Sequence, residues 1–369
     1  MKLRKNVFGM LLPIVAAAAS LQAAANPALV VTASNAAANQ LMVYDSDGNW
    51  IQTVNTGGKG GVSGNAGGIE AAGGLVAVVN FGSQNVSLFQ RAGNSLQWRQ
   101  RVSTVTDPVS VAFGADHLYI LGTTKVESHL LRPGPPMPPA PPMPGPHMQP
   151  GPPAPPTPPM PPNAIVDSTP DGVVSLFLAD GSAAQVGVLP GHLVITEKGA
   201  TTTGTIETVN LLSDGAVTGV ATQVMDIPAN PLAPFGLVTR GNDAYVTIAH
   251  SNEITLVRDG KVLTVAGSGT QNAPCWLALE GPFLFSSNSP SMSVSRYAVY
   301  GQKIVQDAAV AATLSGDPTD IAYGAGLVAV IDGSGHLSIF SVDEDGNLTL
   351  VKADTIPAAA NGAAVIWGD

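Results

Sequence analysis

The stretch VAVVNFGSQNVSLF, Val76 to Phe89, decides how this chain is built. Aliphatic and β-branched residues run as far as Asn80, a Gly/Ser/Gln/Asn turn follows, and apolar alternation resumes at Val86. That is the pattern of two short strands folded about a polar tip. Such a tip is either a place of chemistry or only the turn that a hairpin needs. The pattern recurs at Leu29–Tyr44, Leu118–Leu131, Leu193–Val209, Ala244–Val257, Phe283–Tyr297 and Leu327–Phe340, making seven hairpins. Their tips fall at Asn35, Asn80, Thr123, Glu197, His250, Asn288 and Asp332, spaced by 45, 43, 74, 53, 38 and 44 residues. The spacing of 74 contains Pro133–Pro162, 30 residues of which 18 are proline, and without them it is 44. The tract is therefore expected to be an insertion in the third repeat and not a linker between domains.

Each hairpin is preceded by a short apolar segment, such as GGIEAAGG, PVSVAFGAD or TDIAYGAG. Most are followed by a second turn, often Asp-Gly as at Asp47-Gly48 and Asp345-Gly346, a pair suited to the positive φ angles of tight hairpins. The unit is thus four antiparallel strands, a to d, repeated every 40–45 residues, which predicts an all-β, seven-bladed propeller over residues 26–369. The first repeat lacks strand a, whereas the C-terminal ANGAAVIWGD is a spare one. Pairing it beside Leu29–Ala33 would close the ring and remove the exposed edges.

Composition narrows the function. Only 11% of the 369 residues are charged and 45% are hydrophobic, with 41 Gly and 31 Pro, which suits short strands and tight turns. Lys2, Arg4 and Lys5 precede an apolar run, Val7–Ala19, and Ala23-Ala24-Ala25 offers small residues for cleavage, so residues 1–25 read as a signal peptide. The apolar run is too short for a comfortable membrane span, so no transmembrane anchor is expected, and the mature protein should be periplasmic or secreted. Loss of the three leader charges takes the net charge from −10 to −13, which excludes nucleic acid as a partner because it requires a basic stripe. The lone Cys275 has no internal disulfide partner and is expected in the core.

VAVVNFGSQNVSLF, LVITEKGATTTGTIETV and NAPCWLALEG make the chain resemble the lactonase-type, YVTN-like seven-bladed propellers, among them bacterial 6-phosphogluconolactonase and the carboxymuconate cyclases. The resemblance covers nearly all of the mature chain outside the proline tract. It implies a propeller that hydrolyses or isomerises a small lactone, here in an exported form.

In a propeller the b–c and d–a connections share one face around the central channel. Asn35, Asn80, Asn288 and Asp332 are turn residues by chemistry, able to bond their own backbone, and would add polar groups to a substrate rim. Glu197 and His250 break that series. A carboxylate and an imidazole on adjacent tips could serve as base and acid, with Lys59, Lys125 and Lys198 on the same face to attract an anionic lactone and steady its oxyanion. Glu207, on strand c, reads as a sheet-face residue, and His117, His129, His192 and His336 as structural. No cofactor or metal is called for: DSDGNW and DEDGNL lack the later glutamate of a calcium loop and fall where c–d turns are needed. The methionines and His147 of the proline tract suit a polyproline spike better than a copper site. The alternative to an enzyme is a monomeric, non-catalytic binding or scaffold propeller that meets a small molecule, or a protein or cell-envelope partner through the tract. The enzyme reading requires Glu197 and His250 to converge on one pocket.

Overall fold

A computed structural model describes residues 27–134, 164–200, 203–228 and 231–367. The expected leader and nearly all of the proline tract lie outside these residues. The described chain forms seven antiparallel sheets, six ordered a-b-c-d in sequence and the first taking its strand a from the C-terminal end, with strand d of the third sheet in two pieces. Strands a are Asn361–Ile366, Ile69–Ala72, Pro108–Phe113, Ala183–Leu189, Pro234–Arg240, Pro274–Glu280 and Pro318–Gly324, and each packs against the next around a central axis. This is the seven-bladed propeller.

Strand position explains the apolar runs. A b strand has a blade on either side, so it buries both faces and reads as continuous hydrophobic sequence, whereas strands d form the outer rim. Within Leu29–Ala33, Val30 packs with Ala329 and Ile331 of the seventh blade, while Leu29 and Val31 pack with Val76 and Val78 of the second. The rim strand Trp50–Asn55, by contrast, has no fully buried residue.

The ring closes in the first blade, where Asn361–Ile366 pairs antiparallel with Leu29–Ala33, setting Leu29 against Ile366 and Val31 against Ala364. Arg91, buried on strand c of the second blade, fastens both ends. Its guanidinium donates to the carbonyls of Ile366 (3.2 Å), Gly93 (2.8 Å) and Pro27. In the third blade, strand c (Lys125–Pro133) pairs with Ala164–Val166 at one end and Gly172–Ser175 at the other. The two Asp-Gly-Asn loops close as hairpin turns: Asp45 Oδ1 accepts from the N–H groups of Asp47 and Asn49, and Asp343 Oδ1 from those of Asp345 and Asn347. Cys275 is half-buried, its thiol pushed up to about 12 by burial.

Arg91→Met removes the clamp while filling much of its volume. Hydrogen bonds to a charged group contribute about 1.5–3 kcal/mol each, so a loss of about 2–4 kcal/mol is expected in urea unfolding; a change below about 0.5 kcal/mol would show that the clamp does not hold the ends.

Candidate functional site

The first d–a connection, residues 56–68 (TGGKGGVSGNAGG), is far longer than a turn between blades needs. It lies across the end of the channel. Asn65 Nδ2 donates to Val109 O of the third blade (2.6 Å), and its side-chain oxygen accepts from Asn361 of the first (3.0 Å). Its carbonyl accepts from Trp276 Nε1 of the sixth blade (3.0 Å). Ala66 N–H donates to Ala184 O of the fourth (3.1 Å), and Lys198 Nζ donates to Gly64 O while lying 5.5 Å from the Phe235 ring centroid. Four blades thus hold one loop as a plug. The glycines give it shape: a Cβ on Gly60 would stand 2.3 Å from the carbonyl carbon of Asn35, and Gly64 has φ +61.

The plug changes the expected site. The tips do gather on this face with the d–a connections, but the channel mouth they surround is filled. Asn35 grips the plug, donating to Val62 O (2.8 Å) and accepting from the N–H groups of Gly61 and Val62. Asn80 and Asn288 are fully buried and repeat one device, a donation across their own hairpin: Asn80 Nδ2 to Asn85 and Ser87, Asn288 Nδ2 to Ser293 and Ser295. Asp332 Oδ1 accepts from the N–H groups of Ser334 and His336. Lys59 is exposed on the plug, Lys125 is half-buried at the start of its strand, and burial holds the Lys198 ammonium below its ordinary range.

Glu197 and His250 are not brought together. The Glu197 side chain is 0% exposed, and its oxygens accept from the N–H groups of Leu178 (2.8 Å) and Ala179 (3.0 Å). Glu207, on the neighbouring strand, accepts from Phe177 N–H (2.7 Å). Burial, then the charge of Glu197, pushes Glu207 up to about 9, so it carries the proton in this pair. The two acids therefore hold the connection into the fourth blade. His250 sits exposed on a short 3₁₀ turn, its backbone N–H bonded to Leu232 O. Neither side chain lines the central cavity.

The cavity lies below the plug. About 860 Å³ of space runs from Ala66 and Gly67 along the seven inner strands to the a–b turns, where Arg240, Gly241, Gly281 and Ala325 are exposed. Two carboxylates meet in it. Asp320, on the seventh blade, is fixed by its own neighbour, Ile321 N–H (2.9 Å), and by Ala363 N–H of the closing strand (3.0 Å). Glu70, on the second blade, lines the same space and accepts no hydrogen bond among the described residues. Burial, helped by the charge of Asp320, raises Glu70 to about 7; burial raises Asp320 to about 7 against the pull of its two N–H donors. Gln185 Oε1 accepts from Leu237 N–H (2.7 Å), which sets its amide nitrogen against Gly67 at the closed end. Sequence reasoning missed this pair. The available signal was a lone acid in each apolar segment, Glu70 in GGIEAAGG and Asp320 in TDIAYGAG. Among the described residues no three His, Cys, Asp or Glu side chains form a group able to hold a metal.

Because Glu70 ionises near pH 7 when folded and near 4.5 when unfolded, the folded protein binds the extra proton between those values, and stability falls as pH rises through that window. Glu70→Gln lacks this loss. It should melt higher than the parent at pH 8 and alike at pH 4; an equal gain at both would disprove the linkage.

No protein-family model and no curated protein sequence matches the chain. Solved structures do. A candidate 6-phosphogluconolactonase from Bacteroides fragilis superposes with TM-score 0.61 at 13% identity, over 93% of this chain and 98% of that one. The periplasmic gluconolactonase PpgL of Pseudomonas aeruginosa gives 0.60 at 15%, over 92% and 98%. AztD from Citrobacter koseri, in its apo form, gives 0.57 at 10%, over 94% and 99%. The chain thus shares the seven-bladed propeller fold of these solved structures.

Proposed function

We propose that the chain is an exported, lactonase-like propeller that admits a small lactone to its central cavity from the a–b face and opens or isomerises it there. The observation that carries this is the unbonded Glu70 carboxylate facing the cavity beside the Asp320 carboxyl group, which two backbone N–H groups hold in place. A group that ionises near neutrality and is tied to nothing is suited to carry a proton. In hydrolysis Glu70 takes a proton from water as the water oxygen attacks the lactone carbonyl. The Gln185 amide donates to the oxygen that gains charge. When the ring C–O bond breaks, the alkoxide takes the proton back from Glu70, leaving a hydroxy acid. Support for a lactone comes from the fold shared with a candidate 6-phosphogluconolactonase and a gluconolactonase. Support for export comes from the leader-like residues 1–25 and from the periplasmic location of PpgL. No helix among the described residues is long and apolar enough to cross a membrane.

The test is a pH-stat assay of the purified mature protein on a lactone panel. Turnover should rise as Glu70 ionises near pH 7, and Glu70→Gln should lower kcat by about 10²–10⁴-fold while His250→Ala leaves it unchanged. Full turnover in Glu70→Gln would overturn this assignment. Binding without turnover by any panel member would place the chain with the non-catalytic propellers, a reading favoured by the separation of Glu197 from His250.

A further inference from the structure

The cavity also carries a charge pattern that bears on what it admits. Three carboxylic acids line it, Glu70, Asp320 and Glu280, and one cation, Arg240. Arg240 stands at the exposed end with its guanidinium committed: Nη1 donates to Gly281 O, Nη2 to the Tyr245 hydroxyl (3.2 Å), and the group lies 5.9 Å from that ring. Glu280 lies near the Tyr323 hydroxyl at the same end, where its charge adds to burial in raising that group's pKa. No lysine lines the space; Lys198 reaches only the Gly64 carbonyl of the plug.

Phosphate is bound by free guanidinium or ammonium groups, by the N-terminus of a helix, or by a run of backbone N–H groups. The glycine-rich plug is the segment that could supply such a run, but only its Ala66 and Gly67 line the cavity, and the Ala66 N–H is taken. Gly60 donates to Ala36 O, Gly61 and Val62 to Asn35, and Ala66 to Ala184 O. The described chain has no α-helix, only two 3₁₀ turns. Two like charges in a confined, weakly polar space repel strongly.

The remaining walls suit hydroxyls and C–H faces. Trp276 is held edge-on to Phe235, with ring centroids 5.2 Å apart, and its indole N–H is occupied by Asn65 O, so the ring stands fixed at the closed end. Phe113, Tyr323 and Trp367 line the same cavity. Carboxylates accept from hydroxyl groups, and flat aromatic faces cover the C–H face of a ring.

We infer that the cavity selects an uncharged, polyhydroxylated lactone and rejects the phosphorylated form of the same compound. This rests on the assignment of the cavity as the site. It departs from the anionic lactone that the lysines of the b–c face suggested.

The test compares an aldonic acid δ-lactone with its 6-phosphate ester, by kcat/KM in the pH-stat and by calorimetry with the unreactive lactam of each. The neutral lactone should be favoured by about 100-fold or more, since facing like charges cost several kcal/mol and 1.4 kcal/mol is tenfold. Glu280→Gln should narrow the ratio, chiefly by lowering KM for the phosphate ester, and added salt should narrow it also. Equal use of both compounds, or preference for the phosphate, would overturn charge selection while leaving the cavity as the site. Tighter binding of the neutral lactam without turnover of either lactone would uphold charge selection and remove hydrolysis. Absence of binding by both lactams would overturn the inference together with the cavity assignment.

Discussion

Five residue pairs between Leu29–Ala33 and Asn361–Ile366 join the two ends of the chain and fix the circumference of the ring. Without them the first and seventh blades would each present an unpaired strand and an uncovered apolar face, a structure that invites association with other chains. Arg91 binds the backbone on either side of this seam, from Pro27 to Ile366. The closing strand also reaches the chemistry. It lies between the inner strands that bear Glu70 and Asp320, and its Ala363 N–H holds Asp320 in place. Closure and the proposed site are therefore one construction.

Polar groups on the b–c face are used mostly to hold connections. The third residue of strand c carries out this task in three blades: Ser87 donates to Thr56 O, Glu127 accepts from Val105 N–H, and Glu207 accepts from Phe177 N–H. Where a glutamate fills the position in the fourth blade, Glu197 joins it, and Glu207 of the two buried acids carries a proton. An isolated buried carboxylate would be costly, but a pair holding one proton and three backbone N–H groups is not. The charge of Glu197 is explained by architecture, as are the amides of Asn80 and Asn288.

The plug gives this propeller a polarity that its repeats lack. Seven similar blades alone would leave an axis open at both ends. The loop of residues 56–68 seals one end, so the cavity has a floor at Ala66 and Gly67 and an entrance among the a–b turns. The closed end is where desolvation is strongest and where Glu70, Asp320 and Gln185 gather.

The sequence by itself determined the local and the periodic features. Hairpin recurrence gave seven blades, and the orphan strand at the C-terminus marked the seam. It also gave Asn80, Asn288 and Asp332 their character as hairpin residues, because an Asn or Asp bonds its neighbours wherever the hairpin lies, whereas the Asn35 side chain is spent on the plug. Which charged groups face one another was decided only by the tertiary structure. Glu70 and Asp320 are 250 residues apart, and each alone is one acid in an apolar segment. Glu197 and His250 lie on adjacent blades and still fail to meet, since burial fixes where a side chain points and the tip position does not. Periodicity is a property of short stretches of chain, whereas a shared cavity exists only after the ring has closed and the plug has filled one of its ends.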